Sequence, residues 1–473
     1  MTSNQAWKDE IEQSGEILSE KFEKFWQRMS PNEISKKNYW NIFTDQLQLE
    51  NRKPSLNYYD YILKSGFQPI YSITHRRPVG YEALIRPFKN TQIVSPGEVF
   101  TNAVHAGVSG DLDIICHTLH AFNFNEITEN NSNNWLFLNI IPSSILHYSV
   151  GVMNFEEVLK RTGIHPHQIV IEILENDITN DPRIDESIDY FKQIGCKIAI
   201  DDFGAGHSNF ERIWRLEPDM VKLDRSIITR TTYGKRLNFS LSKLVALLHE
   251  TGSLVIAEGI ETEEEAMLAL GSDVDLVQGY YFAKPFLVDE NLPLKDNKCE
   301  YLHNVFRKKV ADEVEESNRK LMPYVRYLDS FVSVLKAGVK IDNAIEANND
   351  ILISQGLKNL RRIYMIDENG YQVGSNINIL SASKDDRRKL SPLINTSNSN
   401  WYYRPYFRNA INSPNTIHCT GPYLSVTDAA MCLTLSVAVV VDGKTIVVCC
   451  DIDWDESVNA SSSINFTPIA LLS

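Results

Sequence analysis

IVIEILENDITNDPRIDESIDYFKQIGCKIAIDDFGAG, residues 169–206, contains one complete unit of the fold. Residues 169–174 are apolar and mostly β-branched apart from Glu172, which reads as a short strand buried on both faces. Residues 184–194 then space apolar side chains at helical intervals, and KIAID, residues 197–201, is a second buried run that ends on an acid. Strand, helix, strand is the repeating element of an α/β protein.

The alternation extends outward from this stretch, over residues 67 to 286. FQPIYSI, VGYEALI, WLFLNII, MVKLD, LVIAEG and VQGYYF are further apolar runs, and residues 97–106, 111–124, 155–161, 237–249 and 263–270 have helical spacing. Regular βα alternation over roughly 220 residues predicts a closed α/β barrel of the TIM-like (β/α) kind rather than a sandwich. Glu82, Asn139, Glu172, Asp201, Lys222, Glu258 and Gln278 each fall in or at the end of one run, the rim where such barrels place their chemistry.

The flanking regions differ. Residues 1–60 are polar with helical spacing up to a break at Arg52-Lys53-Pro54-Ser55 and are expected to form an N-terminal helical segment. Residues 293–357 read as a helical connector, with a break expected at Met322-Pro323. Residues 358–473 turn to strands, with RRIYMID, a Glu368-Asn369-Gly370 turn, YQVGSNI, CLTLSVAVVV, an Asp442-Gly443 hairpin and TIVVCCDIDW, which predicts a smaller α+β domain with a mostly antiparallel sheet.

Composition excludes whole classes. Among 473 residues, 43% hydrophobic and 23% charged is ordinary for a folded protein and argues against disorder, collagen and repeat fibres. A net charge of −14 argues against a surface that coats nucleic acid, although not against one small anion held in a cleft. Seven scattered cysteines, without CxxC or zinc spacing, read as reduced core residues. No run reaches the length of a membrane span and the N-terminus lacks a signal-peptide stretch, so a cytoplasmic location is expected.

Glu82, Glu172, Asp201, Asp202 and Glu258, with the amide oxygen of Asn139, offer only hard oxygen ligands, a set that favours Mg²⁺ or Mn²⁺ over zinc. Adjacent Asp201 and Asp202 point differently from one strand end, so one could bridge two cations. A two-metal centre implies in-line displacement at phosphorus.

Glu82-Ala83-Leu84 with Ile85-Arg86, Asn139, Ile171-Glu172-Ile173-Leu174-Glu175, Asp201-Asp202-Phe203-Gly204-Ala205-Gly206, Lys222-Leu223-Asp224, Glu258-Gly259-Ile260-Glu261-Thr262 and Gln278-Gly279-Tyr280 together resemble the EAL phosphodiesterases of bacterial cyclic di-GMP signalling. The resemblance implies a barrel over residues 61–292 that opens the cyclic dinucleotide to linear pGpG with two Mg²⁺ or Mn²⁺ ions per site. It implies Glu82, Asn139, Glu172 and Asp201 as ligands of one metal, and Asp201, Asp202 and Glu258 around the other. Glu258 matches the general base and Lys222 the residue that holds the water or stabilises developing charge. Arg86 matches a phosphate ligand, Gln68, Leu84, Glu261 and Gln278 the substrate-positioning residues, and Glu175 the anchor of a loop over residues 202–209 that couples metal binding to dimerisation. Pro87, Leu174, His207 and Asn209 depart from the family's usual residues.

Residues 358–473, with a first helix within 301–357, resemble a Cache or PAS-like sensory domain. There Trp401, Arg404 and Tyr406 match a pocket for a small cytosolic ligand such as an organic acid or amino acid. A homodimer is expected, paired near residues 202–209 and along the helices after Tyr301. The alternative function is a non-catalytic cyclic di-GMP receptor or scaffold that signals through its appended domains.

Overall fold

The computed structural model describes residues 47–50, 53–128, 133–141, 151–178, 181–206, 209–232, 235–288, 298–339, 343, 357–379, 393, 395–396, 398–427, 429–454 and 464–466. The chain divides into two compact units, Met1–Phe306 and Arg307–Ser473.

In the first unit, β1 (Leu47–Glu50), β2 (Lys53–Tyr58), β3 (Tyr61–Ser72), β4 (Arg77–Lys89) and β5 (Gln92–Ile93) lead into α1 (Pro96–His105) and α2 (Ser109–Ile127). Then follow β6 (Trp135–Asn139), α3 (Gly151–Thr162), β7 (Ile169–Leu174), α4 (Pro182–Gln193), β8 (Lys197–Phe203), α5 (Phe210–Leu216) and β9 (Met220–Leu223). Helices α6 (Arg225–Thr232) and α7 (Lys235–Glu250), strand β10 (Leu254–Ala257), helix α8 (Glu263–Gly271) and strands β11 (Leu276–Val277) and β12 (Phe286–Leu287) complete it.

Eight strands close the barrel in the order β3-β11-β10-β9-β8-β7-β6-β4, with β4 returning to β3. Neighbours from β4 through β6 and on to β11 run parallel, but β3 is antiparallel to both β4 and β11. The run VQGYYF is strand only at its start, and Gly279 then passes so close to Ile260 that a Cβ would stand 2.1 Å from its carbonyl oxygen.

Side chains two apart on a strand share a face, and the barrel interior is built from that rule. Ile70, Phe137, Val170, Ala199, Met220, Ile256 and Leu276 form one buried cluster, one residue from each of seven strands. On the eighth strand Gly80 faces Phe137, and a Cβ there would lie 2.6 Å from the ring, so glycine makes the plug close. Two residues further toward the C-terminal end stand Glu82, Asn139, Glu172, Asp201, Lys222, Glu258 and Gln278. On reversed β3 the same step runs backward, from Ile70 to Gln68.

The expected helical segment over residues 1–60 is corrected where it can be seen: residues 47–50 and 53–58 are paired strands, and residues 1–46 lie outside the described residues. Leu56 is buried, and Asn123 Nδ2 of α2 donates to the Pro54 carbonyl at 3.0 Å, so this edge is tied into the barrel wall.

Helix α9 (Lys298–Lys336) continues through Pro323 instead of breaking there. Leu321, Val325, Leu328, Phe331 and Leu335 are all buried, and packing on both sides of the proline outweighs its cost of about 3 kcal/mol. The second unit is a six-stranded antiparallel sheet of β13 (Leu360–Asp367), β14 (Gln372–Asn378), β15 (Ile417–Ser425), β16 (Ala430–Val441), β17 (Lys444–Asp453) and β18 (Ile464–Phe466), ordered β14-β13-β17-β16-β15-β18. The α9 side chains from Leu321 to Leu335 cover one face. Helix α10 (Pro405–Asn412) and the aromatic segment ahead of it cover the other through Tyr406, Phe407 and Ala410.

Candidate active site

Lys222 is the centre of the barrel mouth. Its side chain is 1% exposed, and its ammonium stands 2.6 Å from Glu172 Oε1, 2.5 Å from Glu258 Oε1, 3.2 Å from Asp201 Oδ1 and 3.9 Å from Glu82 Oε2. Burial alone would lower its pKa, but Asp201, Glu172, Glu258 and Glu82 together hold it well above the ordinary lysine value. The carboxylates pay the opposite cost. Burial pushes Glu258 up to about 8 and Glu172 well above its usual range despite the pull of Lys222, and burial beside Asp201 raises Asp202.

Neighbouring strands lock the ring of acids. Glu82 Oε1 accepts from Asn139 Nδ2 at 3.1 Å and Oε2 from Gln278 Nε2 at 2.6 Å. Asp201 Oδ1 accepts from the Asp202 backbone N–H at 2.9 Å, and Asp202 takes φ +56, a left-handed conformation that turns successive carboxylates apart. Gln68 pairs in register with Glu82 on β4, and its amide donates to the Ala283 carbonyl at 3.3 Å. Leu84 and Arg86 alternate with buried Ala83 and Ile85, on the same face of β4 as Glu82. Gly66 gives Arg86 room, since a Cβ there would lie 3.2 Å from Arg86 Cγ.

Glu175 is buried beside the loop after β8 and accepts from the backbone N–H groups of Gly204 at 3.4 Å and Asn209 at 2.9 Å. Of the departing residues, Pro87 is buried opposite Leu63, Leu174 is exposed, Asn209 caps α5, and His207 lies outside the described residues. Glu261 stands apart from the acid ring, where Arg225 grips it with two hydrogen bonds.

Three supporting residues escape a reading by apolar runs. Arg225 lies against Gly259, where φ is +63 and a Cβ would meet the Arg225 side chain at 2.6 Å. Arg212 Nη1 donates to Glu175 Oε1 at 3.3 Å. His117 of α2 meets the Asn139 carbonyl at 2.8 Å and Asp113 at 3.5 Å. Asp113, His117, His120 and Asn123 recur at helical spacing, a buried polar stripe that the spacing alone could have exposed.

The donors fit a hard divalent cation. Asp201, Asp202 and Glu258 each offer an oxygen within 4.8 Å of the others, and Glu172 Oε2 is buried with no hydrogen-bond partner among the described residues.

The EAL domain family matches residues 63–285, which take in the barrel and its acidic mouth. Over 252 residues the chain is 30% identical to the cyclic di-GMP phosphodiesterase PdeF of Escherichia coli strain K12, a match that takes in 51% of this chain and 32% of PdeF. It is 27% identical over 353 residues to YkuI of Bacillus subtilis strain 168, an uncharacterized EAL-domain containing protein, across 72% of this chain and 82% of YkuI. The crystal structure of YkuI in complex with substrate c-di-GMP and calcium aligns with a TM-score of 0.67 at 22% identity, over 82% of this chain and 94% of that one, and has the same fold. The region is thus homologous to the cyclic di-GMP phosphodiesterases, while the chain spans about a third of PdeF's length. Among the described residues, no helix is long and apolar enough to cross a membrane.

Proposed function

We propose that the barrel is a metal-dependent phosphodiesterase that hydrolyses cyclic di-GMP to linear pGpG. The observation that carries this is the convergence of Glu82, Glu172, Asp201 and Glu258 on one buried ammonium, with Asp202 alongside, at the C-terminal mouth. The name of PdeF and the cyclic di-GMP complex of YkuI supply the substrate class.

Two Mg²⁺ or Mn²⁺ ions, one among Glu82, Asn139, Glu172 and Asp201 and one among Asp201, Asp202 and Glu258, would supply a water of lowered pKa and neutralise charge on the phosphate. Glu258 accepts a proton from the attacking water. The water oxygen bonds to phosphorus, the bond to the ribose 3′-oxygen breaks, and that oxygen leaves with a proton. Lys222, fixed by three carboxylates, offsets charge that builds on the phosphate oxygens without needing to move. Arg86 binds a phosphate oxygen from the face it shares with Glu82. Gln278 and Asn139 hold Glu82 in place, Gln68, Leu84 and Glu261 position the dinucleotide, and Glu175 anchors the loop after β8. The second unit regulates turnover.

Incubation with cyclic di-GMP and Mg²⁺ or Mn²⁺, followed by chromatography, should yield pGpG only when the metal is present. Intact dinucleotide that is nonetheless bound tightly would make the barrel a receptor.

A further inference from the structure

Helix α2 buries a polar stripe, Asp113, His117, His120 and Asn123, against the barrel wall. Its C-terminal half is docked on β2 and β3. Asn123 Nδ2 donates to the Pro54 carbonyl at 3.0 Å and to Ser65 Oγ at 3.1 Å, and His120 Nδ1 meets the same hydroxyl at 2.8 Å. These contacts fix where the helix lies, and His117, about one turn earlier, reaches a different strand.

His117 Nε2 lies 2.8 Å from the Asn139 carbonyl oxygen and 3.5 Å from Asp113 Oδ1. A carbonyl oxygen only accepts, so Nε2 carries the proton and donates it. The strand register explains why that carbonyl needs a donor from a helix. β4 pairs with β6 from Gly80–Trp135 to Glu82–Phe137, and Asn139 stands two residues beyond the last pair. On the other edge β6 stays paired with β7 as far as Asn139 and Glu172, and the Ile140 N–H donates to the Glu172 carbonyl at 3.0 Å. In a trans peptide the Asn139 carbonyl points away from the Ile140 N–H, toward the side that β4 has left. His117 fills that position, so the Asn139–Ile140 peptide is gripped by β7 at its nitrogen and by α2 at its oxygen.

The same residue faces the mouth through its side chain. Asn139 Nδ2 donates to Glu82 Oε1 at 3.1 Å, which leaves the amide oxygen as the atom a hard cation would use. So short a side chain is only as well placed as the peptide that carries it.

We infer that His117 is a positioning residue for the metal centre and acts through the Asn139 peptide. It sets the backbone of a ligand rather than touching the cation. The inference rests on the metal-dependent reading of the barrel and adds to it a residue outside the apolar runs and their motifs. Outer partners of this kind are typically worth about 10–100-fold in metal affinity, and a hydrogen bond to the ligand's backbone belongs at the lower end.

The test is Mn²⁺ binding to the full chain, followed by electron paramagnetic resonance. His117→Leu should weaken Mn²⁺ about tenfold, while His117→Gln, whose Nε2 amide reaches toward the same carbonyl, should stay within about threefold of the wild type. His117→Asn is polar but too short to reach and should lose as much as leucine, which keeps the loss measurable if the leucine variant folds poorly. In the Asn139→Ala background, His117→Leu should cost no further affinity, because the side chain it positions is gone. The inference alone is overturned if the wild type binds Mn²⁺ and His117→Leu and His117→Asn bind it equally well, if His117→Gln loses as much as they do, or if the leucine substitution costs the same with Asn139→Ala as without it. A wild-type chain that binds no Mn²⁺ would overturn the metal-dependent reading of the barrel and this inference with it.

Discussion

At the barrel mouth, Glu82, Glu172, Asp201 and Glu258 crowd one buried lysine, whereas in the second unit buried Asp451 is matched by Arg362 and by hydroxyls from Thr434 and Tyr364. Both clusters lie on strands inside a core, so burial is not what separates them. The difference is stoichiometry. The mouth has more anions than its own cation can satisfy, and burial shows it by raising Glu258 and Glu172. Asp451 is paired within the chain. A cluster that balances itself serves stability, and one that does not needs charge from outside.

The largest effect that can break this contrast is on turnover. Glu82→Ala or Glu258→Ala should lower pGpG formation by a factor of roughly 10² or more, measured by chromatography at saturating metal. Full turnover in both variants would remove the acids from the chemistry. Ca²⁺ in place of Mg²⁺ should inhibit, since its larger radius and looser coordination misplace the attacking water.

Next comes Asp451→Ala, which leaves Arg362 buried without its carboxylate and should cost about 3–5 kcal/mol in denaturant unfolding of the second unit. A loss below 1 kcal/mol would mean the balanced cluster is not a stability element.

A smaller effect lies in α2. Burial lowers His120 to about 3 from its ordinary 6.5, while its Nδ1 meets Ser65 Oγ at 2.8 Å. Between those values the unfolded chain binds a proton that the folded one does not. Stability is therefore complete above pH 6.5 and falls as the pH drops toward 3, by a few kcal/mol. His120→Gln should flatten that acid slope in urea titrations; an unchanged slope would assign it to other groups.

A pH effect of the opposite sign lies in the mouth. In metal-free protein the folded state holds the Glu258 proton to about pH 8 while the unfolded chain releases it near 4.5, so stability should fall as pH rises through that window. Glu172→Gln relieves the same crowding and should raise metal-free stability by about 1 kcal/mol at neutral pH. A loss would show that the Lys222 contact outweighs the repulsion.

How much of this was readable along the chain follows from which signals are local. The polar ring of the mouth was legible because each member stands two residues beyond a plug residue on its own strand, as Glu172 follows Val170 and Lys222 follows Met220. The reversal of β3 was not, since FQPIYSI reads as the same buried run in either direction. Strands β1 and β2 fall within a stretch that reads as helical up to a break at Pro54, whereas Pro54 is an edge position held by Asn123. Strand β15 hid behind Gly421-Pro422, which sits where its register shifts between Thr420 and Tyr423. The pairing of Arg362 with Asp451 joins residues 89 apart and leaves no local trace. Helices α5 and α6 are too short to carry a clear period.

The reversed strand also orders events during synthesis. β3 and β4 pair as a hairpin as soon as both leave the ribosome, so the first wall of the barrel can form from adjacent sequence. The other edge of β3 is paired early by β2 only over Tyr61–Leu63 and must wait for β11 and β12 over the rest, and the contact from Gln68 to Ala283 spans 215 positions. At about 5–20 residues per second, the nascent chain spends on the order of ten seconds or more with that edge unpaired. Short β11 is thus the last stave of the barrel, and a chain that stalls before it exposes a β3 edge rich in apolar side chains to whatever strand is nearest.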